Sequence, residues 1–119
     1  MEMPKPTEED KLRFRSLVPD DPRVEVKPMF GNLGAFVNGN MFMGLLGSSV
    51  GLKLNDGDRE LLLNEQGAGP FGPEGRPMGG YVALPPALAA DAYRAELWVA
   101  KALDYVGSLP PKVKATKKR

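Results

Sequence analysis

The stretch "MFGNLGAFVNG", Met29 to Gly39, sets three glycines among apolar residues. Such a run is either a backbone cradle for a phosphate or a piece of sheet with tight corners, because glycine permits both close approach and positive φ. The flanks favour the sheet. Before it, Val24 to Met29 alternates Val24 and Val26 with Glu25 and Lys27, the pattern of a half-buried strand, and Pro28 suits an edge position. Within and after it, Ala35 to Val37 and Met41 to Leu46 flank Asn38 and Gly39, and Asn-Gly between apolar runs is the strongest short-range hairpin signal. Gly31 and Gly34 are then expected to shape the entry to a strand, with Met29 and Phe30 anchoring the corner in the core.

Working outward, "GSS" (Gly47 to Ser49) reads as a second turn, leading to Val50, Leu52 and Leu54 in alternation with Gly51 and Lys53. Three short strands joined by tight turns form an antiparallel meander. Upstream, Thr7 stands before "EEDKLRFRSLV", where a hydroxyl cap, an acidic first turn and apolar Leu12, Leu17 and Val18 predict a helix that "PDDP" ends. Downstream, "NDGDRELLLNEQG" (Asn55 to Gly67) predicts a short capped helix, and "YVAL" (Tyr81 to Leu84) a last strand.

Between those two, "GAGPFGPEGRPMGG" (Gly67 to Gly80) is too rich in glycine and proline for a regular element, although Phe71 and Met78 can pin it to the core. After Pro85 and Pro86, the residues Leu88, Ala92, Ala95, Val99, Ala102 and Val106 fall on one helical face, widened by Trp98 and Leu103. Asp91, Arg94, Lys101 and Asp104 fall largely outside that face. The expected fold is α+β: an antiparallel sheet of four to five strands with an N-terminal helix, a short middle helix and a long C-terminal helix packed on it. Residues 8–109 form the expected domain, with 1–7 a disordered lead and 110–119 a disordered basic tail.

Composition narrows the chemistry. The 119 residues include no cysteine and no histidine, which removes thiol nucleophiles, serine–histidine triads and imidazole acid–base catalysis. No apolar run approaches the roughly 18 residues that span a bilayer, and the polar, acidic start lacks the features of a secretory signal, so a cytoplasmic location is expected. Net charge is +1, unevenly spread. Lys112, Lys114, Lys117, Lys118 and Arg119 supply five basic residues to "KVKATKKR", which has no acidic one. Such a tail reads either as a solvated end or as an electrostatic arm for nucleic acid.

Short motifs add little. "GAGPFG" (Gly67 to Gly72) has the letters G-x-G-x-x-G, but a dinucleotide fingerprint needs a strand before it and a helix after it, and neither flank fits. "GNLG" (Gly31 to Gly34) matches the GXXG of a KH clamp yet lies between strand-like segments. "NDGD" (Asn55 to Asp58) lacks the ligand order of a calcium loop and reads better as a helix cap. The methionines at 41 and 43 suit core packing or an adaptable partner surface, and Lys53 an edge or an anion contact. No acid–base pair emerges. No catalytic residue, cofactor or metal ligand is therefore expected.

Taken in order, "KPMFGNLGAFVNGNMF" (Lys27 to Phe42), "GLKLND" (Gly51 to Asp56) before a short helix, "GPF" (Gly69 to Phe71) and a closing strand and Ala-rich helix resemble the N-terminal domain of the TfoX/Sxy competence regulators. The resemblance spans roughly residues 8 to 107. Its core motif, Met-Phe-Gly-Gly-x-Gly, is matched by Met29, Phe30, Gly31 and Gly34, with Asn32 in place of the second glycine.

The resemblance implies an α+β domain shaped like secretion chaperones, and a regulatory role. Full-length members are linked to DNA uptake, act with the cyclic-AMP receptor protein at competence promoters, and carry a second, C-terminal domain. The tail here leaves no room for that domain, so a stand-alone N-terminal-domain protein is expected. It implies no catalytic residues. The expected function is that of a small non-enzymatic regulatory and interaction module meeting a protein partner, such as a transcription regulator or a second copy of itself. The alternative is non-specific nucleic-acid binding through the tail.

Overall fold

The computed structural model describes residues 5–29, 31–72 and 77–111. Helix α1 (Glu8–Leu17) opens with a reciprocal capping box, in which Thr7 Oγ1 accepts from the Asp10 amide and Asp10 accepts from that of Thr7. Its buried residue is Phe14, while Leu12 is exposed. The chain then runs through β1 (Val24–Met29), β2 (Asn32–Val37), β3 (Asn40–Leu46) and β4 (Ser49–Lys53). This is the expected meander, with β2 and β3 both longer than read from sequence.

Helix α2 (Asp56–Leu63) is capped by Asn55, whose Oδ1 accepts from the Asp58 amide at 2.8 Å. Next come a two-residue strand β5 (Gly69–Pro70), then β6 (Tyr81–Ala83). The pairing of Gly69 and Pro70 with Ala83 and Val82 brings the described sheet to six strands. That pairing corrects the reading of residues 67–80 as free of regular structure: neither glycine nor proline prevents pairing at a sheet edge. A second correction concerns the last helix. It is split into α3 (Pro86–Ala89) and α4 (Ala92–Gly107), and Asp91 caps α4 by accepting from the Arg94 amide, which leaves Ala92 exposed instead of on the buried face.

The strand order is β1-β2-β3-β4-β6-β5, and every pairing is antiparallel. Strand β1 is an edge, as Pro28 requires. All the helices that pack on the sheet share one face. There Leu33, Ala35, Val37, Phe42, Met43, Leu45 and Leu52 meet Phe14, Leu62, Ala95, Val99, Ala102 and Val106 in one buried cluster. The alanines bring α4 close to the strands.

The β2–β3 hairpin turns through Asn38 (φ 54°) and Gly39 (φ 83°), the two successive positive values a type I′ turn needs. The Asn38 amide also donates to the Gly107 carbonyl, and that of Asn40 to the Pro110 carbonyl, so the hairpin ties down the end of α4. The register of β2 against β3 shifts between Ala35 and Phe36, because Phe42 is an extra residue in β3. The bulge lets both Phe42 and Met43 enter the core while Met41 faces the other side. Among the described residues no helix is long and apolar enough to cross a membrane.

Candidate functional site

Two surfaces bring chemistry-bearing side chains together. The first is the sheet face that carries no helix among the described residues. Three glycines lie side by side across it, Gly34 paired with Gly44 and Gly44 with Gly51. Where side chains would stand, neighbouring side chains occupy the space. The Met41 sulfur and the Phe36 ring are each 2.9 Å from the position of a Cβ on Gly34, and the Phe71 ring fills the space above Gly51.

Phe71 comes from the loop after β5 and is 1% exposed. Its carbonyl accepts from the Met78 amide at 2.7 Å, and its ring meets that of Tyr81 with centroids 6.1 Å apart. The Tyr81 hydroxyl in turn donates to the Met41 carbonyl at 2.8 Å, and burial pushes its pKa up to about 12. Two lysines complete this surface. Lys27 Nζ stands 5.1 Å from the centroid of Phe36, and Lys53 Nζ 5.7 Å from that of Tyr81. Both distances are within cation–π range. The row Lys27, Phe36, Met41, Tyr81, Lys53 thus spans the face from β1 to β6.

The second surface is a groove of about 760 Å³ between α1 with its following loop and α3–α4. Its floor is apolar, from Leu17, Val18, Ala89, Val99 and Leu103, and its rim is charged, from Arg13, Arg23, Asp20, Asp21, Glu96 and Asp104. Both arginines are already paired, Arg13 with Asp10 and Arg23 with Asp21. The second pair is a clamp: Asp21 accepts from Arg23 Nε and backbone amide through one oxygen and from Nη2 through the other, which pulls its pKa down to about 2. Asp20, Glu96 and Asp104 make no ion pair within 4 Å among the described residues. The rim is net acidic.

The residues singled out from sequence fall as follows. Gly31 (φ 80°) turns the chain between β1 and β2, and Gly34 belongs to the glycine row. Met29 sits half-buried opposite Asn32, on the helix-free side of the sheet, so the expectation that it anchors the corner in the main core is corrected. The reason is the alternation of β1, which sends Val24 and Val26 to the core and Met29 away from it. Asn32 is 3% exposed, and its Oδ1 accepts from the Gly47 amide at 2.8 Å, linking β2 to the β3–β4 turn. Phe30 and the basic tail, Lys112, Lys114, Lys117, Lys118 and Arg119, lie outside the described residues.

Sequence reasoning did not find the row of Phe36, Met41 and Tyr81. Its signal was the spacing of glycines at 34, 44 and 51, which align only once the register is known. Among the described residues no three potential ligand side chains cluster around a metal-sized space.

Among the described residues, a six-stranded antiparallel sheet with helices on one face only defines a small α+β domain. The family model described as the TfoX N-terminal domain matches residues 16–106, and the chain belongs to that family. Among curated proteins no relative matches.

Proposed function

We propose that the chain is a non-enzymatic regulatory module that works by docking a protein partner, in the setting its family resemblance implies a transcription regulator. The observation that carries this reading is the groove between α1 and α4. It offers what a partner helix needs, an apolar floor of Leu17, Val18, Val99 and Leu103 under a charged rim. Glu96, Asp20 and Asp104 give the rim its sign, so the segment it takes is amphipathic with basic residues beside its apolar anchors. A catalytic reading has little support. The carboxylate with a strongly moved pKa, Asp21, is held ionised by Arg23, the opposite of what a general acid requires.

A peptide library panned against the full chain tests the proposal. It is expected to enrich sequences with basic residues flanking apolar positions at i, i+3 and i+4, and the charge-reversed variant Glu96→Lys with Asp104→Lys is expected to lose them. Recovery of the same peptides by that variant, or enrichment of acidic ones, overturns it.

A further inference from the structure

We propose that the helix-free face of the sheet binds single-stranded nucleic acid, with bases stacked on Phe36 and Tyr81 and phosphates held by Lys27 and Lys53. This site is separate from the α1–α4 groove and does not depend on the docking proposed there. The argument starts from the glycine row. Because Gly34 carries no side chain, the Phe36 ring reaches over it, with Cε1 2.9 Å from where a Cβ would be. Phe36 and Tyr81 are both half-exposed, so part of each ring faces solvent. Tyr81 is held in place by its hydroxyl bond to the Met41 carbonyl, and Phe36 is the register partner of that same Met41. The two rings therefore flank one residue and can take two neighbouring bases.

Each ring has a lysine ammonium on its face, at 5.1 Å and 5.7 Å. A π face with a cation beside it is the pair of groups that a base and its phosphate need, and base–aromatic stacking tolerates any sequence. The ammonium groups are free to move to phosphates. Among the described residues, Lys27 is otherwise paired with Glu25 alone, at 3.7 Å, an exposed contact of the kind that contributes little. Charge is complementary, since among the described residues the strands place Lys27 and Lys53 on this side against the single carboxylate of Glu25. Only base faces and phosphates are used, so ribose and deoxyribose strands bind alike, and duplex, whose bases are already stacked, binds less.

The test uses the full chain with labelled single-stranded oligonucleotides of mixed sequence, of both sugar types, and the matching duplex, followed by fluorescence anisotropy at low and moderate salt. Both single strands are expected to bind alike and at least about tenfold more tightly than duplex. Phe36→Leu, which keeps apolar bulk and removes the π face, is expected to weaken binding about tenfold. Deleting residues 112–119 is expected to reduce the salt dependence while leaving the loss caused by Phe36→Leu unchanged.

Absence of binding at low salt overturns the proposal, as does equal affinity for duplex, indifference to Phe36→Leu, or complete loss on removing the tail. If Phe36→Leu fails to fold by thermal melting, the ring proton resonances of the unaltered protein give the answer. Movement of the Phe36 and Tyr81 rings on titration with the oligonucleotide supports the proposal, and unmoved rings overturn it.

Discussion

The ring of Phe71 fills the space in which a side chain on Gly51 would stand, so the loop and strand β4 fit only while position 51 has no Cβ. A Cβ there would collide with ring carbons on both sides of Phe71. Gly51→Ala is therefore expected to destabilise the fold by about 1–3 kcal/mol, the usual cost of overpacking. Phe71→Ala, which empties the site, costs about 3–5 kcal/mol. Urea denaturation of the two single variants and the double variant checks the relationship. Once Phe71 is gone the alanine at 51 has room, so the double variant is expected to be much less destabilised than the sum of the singles.

The β2–β3 turn gives a second expectation. Gly39 has φ 83°, where an L residue is strained by about 1–2 kcal/mol, so Gly39→Ala is expected to lower stability by that amount. Asn38 differs, because its side chain also reaches the Gly107 carbonyl at 3.5 Å. Asn38→Gly keeps the turn and drops that link, so its effect is expected in hydrogen exchange at the last turn of α4 more than in global stability. Amide exchange of residues 104–108 measures it, and unchanged protection there contradicts the link.

Much of this architecture was legible from local chemistry. Asn38-Gly39, the alternation of Val24 and Val26, and Thr7 as a cap each act over a few residues, and each fell where expected, as did the apolar face of α4 from Ala95 to Val106. What escaped depends on register. Phe42 as an extra residue in β3 sends Met41 to the helix-free side, and no local pattern announces a bulge. The break at Ala90 and Asp91 was hidden because a helix N-cap inside an Ala-rich run preserves the apolar spacing on either side. Phe71 illustrates the same limit for the site: its burial was foreseeable from its size, but its seat over Gly51 was not, since it joins residues from a loop and from a strand that a helix separates.

Asp21 sets the acid limb. Its pKa is lowered to about 2 by the Arg23 bonds, below the ordinary 3.8, so its contribution is present above about pH 4 and is lost as pH falls toward 2. The stability difference between the native chain and Asp21→Asn is therefore expected to be constant from neutral pH down to about 4 and to shrink below it. Chemical denaturation across pH 2–7 reads this, and a difference that stays flat to pH 2 rules out the Arg23 clamp as the source.

Tyr81 sets the alkaline limb with the same sign logic. Burial raises its pKa from 10.0 to about 12, so its neutral phenol stabilises the fold fully below pH 10 and progressively less as pH rises toward 12. The cause is desolvation, which penalises the phenolate on the helix-free face between Phe71 and Met41. Ultraviolet titration of the three tyrosines should show one phenol ionising near pH 12, and that step should vanish in Tyr81→Phe. The same substitution removes the donor to the Met41 carbonyl and is expected to cost about 1 kcal/mol at neutral pH. Because it keeps the aromatic ring under Lys53, it separates the hydroxyl's structural role from the ring's: stability falls, while any base stacking on this face persists.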